Sequence, residues 1–159
     1  MQIPLVLHDA RSKQVLRRFS AFGEWPKILE LSADETKLYV SNWSSGNIAE
    51  IDLATGKLAR NLPGTTVPRG LYATRDGQFL YLAGFGSGEL RRIDLASGES
   101  ELLFEDTASL RHIVADEERG RLYAISYPRD HFWIFDLQKR EIRSLGRLGS
   151  VNSQAIFTD

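Results

Sequence analysis

Short apolar runs and polar breaks alternate along this whole chain, and they do so on a fixed beat. Leu38-Tyr39, Leu80-Tyr81 and Leu122-Tyr123 fall 42 residues apart, as do Ile51-Asp52, Ile93-Asp94 and Phe135-Asp136. Each interval holds four runs of about 4–8 residues, rich in Leu, Ile, Val, Tyr and Phe and bounded by Gly, Asp, Asn or Ser, which is the pattern of short strands. No segment sustains an apolar period of about 3.6 residues. Ser12 to Arg18 can be forced into a short helix, but it aligns with a turn and strand of the repeat. A period in the low forties with four strands inside it marks a β-propeller blade.

The expected fold is therefore all-β: a β-propeller of four-stranded antiparallel blades, incomplete, with about three and a half blades in 159 residues. In the first full repeat the strands are A, Lys27 to Ser32; B, Lys37 to Ser41; C, Asn47 to Leu53; and D, Lys57 to Leu62. The chain divides into a half blade (1–25), three blades (26–67, 68–109 and 110–150) and the first strand of another (151–159). Ile3 to Asp9 and Gln14 to Phe19 align with strands C and D, and Ser153 to Thr158 with a strand A. Closure is expected to need further blades or a second copy, because open blade edges invite association. Gly56 and Gly98 sit where the C–D hairpin wants a left-handed residue; Arg140 stands there in the third repeat, so that turn is expected to be altered.

The run Lys37-Leu38-Tyr39-Val40-Ser41-Asn42, followed by Gly46 to Lys57, resembles the YVTN-type β-propeller repeat. So does Pro68-Arg69-Gly70-Leu71 with Asp76-Gly77 and Leu80-Tyr81-Leu82. The likeness covers Pro26 to Asp136. It departs in the third repeat, where Leu110 replaces the leading Pro and Tyr127-Pro128-Arg129-Asp130 replaces the Gly/Ser-rich loop. The resemblance implies a mostly bacterial or archaeal, often exported protein, of a family that includes surface-layer and adhesion-like domains. Related propellers include sugar lactonases, lyases and quinone- or haem-linked oxidoreductases. No catalytic residue carries over from any of them by motif.

Composition removes several classes. The formal net charge of −1 supplies no global field for nucleic acid, and Arg17-Arg18 and Arg91-Arg92 lack an aromatic ladder. There is no cysteine, hence no disulfide framework or thiolate site. No stretch reaches the length of a membrane span, and the start has neither a basic segment nor a long apolar run of the signal type. The compartment stays open: the resemblance favours a periplasmic or extracellular one. His8, His112 and His131 have no metal-ligand spacing, so neither metal nor cofactor is expected. Gly84-Phe85-Gly86-Ser87-Gly88 opens no helix and fails as a dinucleotide loop. Asp116-Glu117-Glu118 is expected to be a solvated turn, and His131 with Asp130 a surface pair.

Two periodic sets remain. Lys27, Arg69 and Arg111 open successive A strands, the strands that line a propeller's channel. Trp43, Phe85 and Tyr127 open successive B–C loops on the same face. Residues at one repeat position are related by rotation about the axis, so an inner cationic arc and an outer aromatic arc are expected at the channel mouth. Summed positive potential there would attract a carboxylate, a phosphate or an anionic saccharide, and exposed rings stack sugars or contact a protein. The leading expectation is a non-catalytic binding or scaffold propeller whose ligand is an anionic small molecule or saccharide, or a protein. The alternative is an enzyme acting at that mouth, either a hydrolase or lyase on a sugar-like substrate or a redox subunit, for which Glu30 and His112 are the ionisable candidates besides the cations.

Overall fold

The computed structural model describes residues 4–106, 108–128 and 131–147. They form fourteen strands and no helix. An N-terminal hairpin pairs β1 (Pro4–His8) with β2 (Val15–Ser20). The first full blade is β3 (Pro26–Leu31), β4 (Lys37–Asn42), β5 (Ile48–Asp52) and β6 (Lys57–Leu62). The second is β7 (Pro68–Ala73), β8 (Phe79–Gly84), β9 (Glu89–Asp94) and β10 (Ser100–Glu105). The third is β11 (Ser109–Asp116), β12 (Arg121–Tyr127), β13 (His131–Asp136) and β14 (Glu141–Arg147). Every blade is antiparallel with its strands in chain order, and the sheets do not close into a ring among the described residues. The last expected strand, Ser153 to Thr158, and the pair His131 with Asp130 involve positions outside the described residues.

The core lies between blades rather than within them. Leu5, Ala21, Leu38, Val40, Ala49 and Ile51 bury the hairpin against the first blade. Tyr39, Ile48, Leu62, Leu71, Leu80, Leu82 and Ile93 join the first blade to the second. Tyr81, Ala83, Leu90, Leu110, Ile113, Leu122 and Phe135 join the second to the third. Successive side chains of a strand point to opposite faces. Leu38 and Val40 therefore face backwards along the chain while Tyr39 faces forwards, and a middle strand must be apolar on both faces. Strand β7 packs against both β3 and β11, which puts the first strands of the blades innermost.

The recurring Asp after Ile or Phe is a turn device. Asp52, Asp94 and Asp136 each accept backbone N–H bonds on Oδ1, from Thr55 at 2.7 Å, Ser97 at 2.8 Å and Lys139 at 2.9 Å. The Thr55 hydroxyl and then the Thr55 N–H at Asp52, and the backbone bonds from Ser97 and Lys139 at the other two, hold all three carboxyls below the usual carboxylate range. Four residues after each Asp, Gly56, Gly98 and Arg140 close the same hairpin onto the Asp carbonyl at 2.7, 2.8 and 2.9 Å. Arg140 adopts φ 57°, beside 69° and 79° for the two glycines. The altered turn expected at Arg140 is not found. The Asx bonds outweigh the left-handed penalty of roughly 1–2 kcal/mol.

Neighbouring blades are also latched by side chains. Arg17 Nη1 donates to the carbonyls of Leu53 and Ala54, both at 2.7 Å. Arg60, one blade on, donates to the Leu95 carbonyl. Its Nε also pairs at 2.7 Å with Glu50, whose other oxygen meets Lys37 Nζ at 2.8 Å. Glu50 is fully buried, so this carboxylate is held by two cations inside the blade stack.

A candidate anion site at the channel mouth

The three cations Lys27, Arg69 and Arg111 occupy one structural device. In each blade the register between the first two strands slips by one residue: Pro26 faces Asn42 and Ile28 faces Ser41, leaving Lys27 without a partner. The slip recurs between Pro68 and Gly70 around Arg69, and between Leu110 and His112 around Arg111. This is a β-bulge, which bends its strand and re-aims the extra side chain. Ser41 ties two bulges together: its hydroxyl accepts from Ile28 N–H at 3.1 Å and donates to the Arg69 carbonyl at 3.1 Å.

The strand entrances are fixed with equal care. Trp43 N–H donates to the Trp25 carbonyl at 3.0 Å, and Phe85 N–H to the Val67 carbonyl at 2.9 Å. Trp25 and Val67 both sit at positive φ, 55° and 56°, just before Pro26 and Pro68. Positive φ is rare for Trp and an outlier for a β-branched Val, and strain of this kind is held only where the surroundings over-determine it. In the third blade, where Leu110 replaces proline, Ser109 pairs directly with Tyr127 in the ladder.

The bulges turn the cations over the aromatic residues. Trp43 and Phe85 lie 4.9 Å apart between ring centroids, and Phe85 and Tyr127 lie stacked at 6.0 Å, so the rings run as one row across three blades. Lys27 Nζ sits 5.2 Å from the Trp43 ring and 5.6 Å from Trp25. The Arg69 guanidinium is 5.6 Å from both Trp43 and Phe85, and that of Arg111 is 5.6 Å from Tyr127. All six residues meet on one face. They interleave rather than form separate inner and outer arcs, because the bulges carry the cationic heads onto the ring faces. Each such contact contributes about 0.5–1 kcal/mol at an exposed site.

No carboxylate among the described residues forms an ion pair with any of the three. Arg111 Nε is buried and makes no hydrogen bond. Leaving such a donor unpaired costs about 1–3 kcal/mol. Burial, and then the neighbouring Arg111 charge, push the Arg69 pKa down. Burial, and then Arg69, do the same to His112 beside it. Among the described residues, the mouth is thus a cationic field that no carboxylate ion pair offsets.

Several other candidates find local roles. Glu30 lies on β3, half-buried, accepts Ala73 N–H at 3.1 Å, and has its pKa raised by burial. His112 lies on β11, and β7 packs against both of those strands, so the two ionisable candidates belong to non-adjacent blades. Glu117 is not merely solvated: its Oε1 accepts the Tyr72 hydroxyl and Arg75 N–H, both at 2.8 Å, tying the second blade to the third. Among the described residues no three His, Cys, Asp or Glu side chains gather as a metal set. Among the described residues no helix is long and apolar enough to cross a membrane.

Trp25 was outside the periodic sets, because its equivalents are Val67 and Ser109. Its side chain is 60% exposed. The bulges and Ser41 also left no mark that register counting could detect.

Comparison with solved structures returns the hydrazine synthase of Kuenenia stuttgartiensis, with a TM-score of 0.75 at 17% identity over 90% of this chain. The chain spans 43% of that protein's length. At this identity the likeness is one of fold, and it accords with propeller-like, four-stranded antiparallel sheets. No family model and no curated protein matches the sequence.

Proposed function

We propose that this chain is the ligand-binding part of a propeller scaffold, and that its channel mouth binds an anionic, partly apolar ligand such as an acidic saccharide. The observation that carries the reading is the row of three bulge-borne cations with no carboxylate partner among the described residues. A merely solvated rim needs no repeated bulge, no positive-φ residue before its prolines and no ring beneath each charge. Lys27, Arg69 and Arg111 supply the field. Trp43, Phe85 and Tyr127 hold the cationic heads in place, and exposed Trp25 offers an apolar surface at one end. The resemblance of Lys37 to Lys57 to YVTN-type repeats supports the repeat type and fits a binding scaffold. It also supports an exported, bacterial setting.

The test is calorimetric titration of the chain with glucuronate, glucose and sulfate. Glucuronate is expected to bind and glucose to fail. Replacing Arg69 and Arg111 together by Ala should weaken glucuronate binding more than tenfold while the thermal midpoint stays within a few degrees. Unchanged binding in the double variant, or no binding of either anion by the parent chain, defeats the reading.

A further inference from the structure

The three cations are not equivalent. Lys27 lies between two rings, Trp25 and Trp43. Arg69 also lies between two, Trp43 and Phe85. In each case one ring belongs to the cation's own B–C loop. The second comes from the preceding blade for Arg69, whereas Trp25, just before the bulge, supplies it for Lys27. Among the described residues Arg111 has Tyr127 alone. The ring row is also looser at that end, 6.0 Å against 4.9 Å. Of the three cations, Arg111 is the one with a buried nitrogen, Nε, that makes no hydrogen bond.

We propose that the mouth is directional: Arg111, with Arg69 beside it, is a bidentate seat for a carboxylate, and Lys27 is a clamped charge that contributes only to the field. This rests on the anion-site reading above and specifies it. A guanidinium binds a carboxylate through two parallel N–H bonds from a planar fork, and an ammonium cannot reproduce that geometry. Nε is one edge of that fork. Rotation of Arg111 towards the mouth gives it the acceptor it lacks and brings the ligand against Arg69, which already feels the Arg111 charge. Lys27 differs: its ammonium sits beside two indoles on an exposed residue, where water serves its N–H groups, so it holds no buried donor that a ligand must satisfy. The ligand class that fits is a hexuronate-like sugar acid. Its planar carboxylate faces Arg111 and Arg69, and its ring extends along the row towards Trp43.

The experiment compares Arg111→Lys, Arg111→Ala and Lys27→Ala in the full chain, titrated with glucuronate and separately with sulfate. Arg111→Lys keeps the charge and removes the fork. It is expected to lose glucuronate binding more than fivefold, approaching Arg111→Ala, while sulfate affinity falls less than threefold. Lys27→Ala is expected to weaken both anions by about two- to threefold through the field alone. Arg111→Lys binding glucuronate like the parent overturns the bidentate seat. Lys27→Ala losing as much as Arg111→Ala overturns the direction, while the broader anion reading survives. If the parent binds neither anion, that broader reading fails first. Circular dichroism melts of each variant separate lost binding from lost fold.

Discussion

The second blade and the N-terminal hairpin are written in the same repeat, yet they hold their apolar residues differently. In the second blade Leu80, Leu82, Leu90 and Ile93 are wholly buried, because a blade stands on either side. In the hairpin Leu5 is buried and Phe19 packs half-buried against the same cluster, whereas Val6, Leu7, Val15 and Leu16 are exposed. The first blade touches the hairpin on one side, and no strand among the described residues lies beyond it. A blade therefore does not own a core. Its stability is that of its two interfaces, as expected for repeats that contact only their neighbours.

The strongest way to break this comparison is to truncate matched residues. Leu82→Ala is expected to cost about 2–5 kcal/mol, the range for a buried leucine. Leu16→Ala, at 60% exposure, should stay within about 0.5 kcal/mol. Urea unfolding followed by circular dichroism reads both; similar losses would show that the hairpin is packed as tightly as the blade. The latches give a second, smaller contrast. Arg60 serves both a buried carboxylate and a carbonyl, whereas Arg17 serves carbonyls only. Arg60→Ala should destabilise by about 1–3 kcal/mol and Arg17→Ala by under about 1 kcal/mol. The reverse order of thermal midpoints would mean that the blade interior does not depend on this ion pair. The smallest effect concerns the C–D turns. Gly98→Ala should cost about 1 kcal/mol, the left-handed penalty, whereas Arg140→Gly should gain a few tenths. That gain is trimmed by glycine's entropy and the loss of an exposed pair with Glu101. A clear loss in Arg140→Gly would show that the third hairpin uses its arginine for more than the turn.

How much of this could be read along the chain depends on whether a feature repeats in register. The strands could be read because Leu38-Tyr39 and Ile51-Asp52 recur at equal spacing, and their burial follows from alternation alone. The six mouth residues could be found for the same reason. The bulges could not. An extra residue in every A strand leaves the 42-residue period intact, so Lys27, Arg69 and Arg111 look like ordinary strand residues. Trp25 escaped because nothing in the next two repeats matches it. The turn at Arg140 could not be read from residue type alone, because its left-handed backbone rests on the N–H bonds that Asp136 accepts from Gln138 and Lys139.

The bulge has a meaning for how such a molecule can change. A residue squeezed out of the ladder has no partner opposite it in the next strand, and its side chain lies at the mouth rather than among the packed leucines. Rewriting position 27, 69 or 111 therefore alters what the mouth presents while the interlocked leucines and isoleucines beneath stay as they are. Three such positions in one face behave as exchangeable letters over a constant grammar. A new specificity could be spelled there one substitution at a time without the stack first having to be rebuilt.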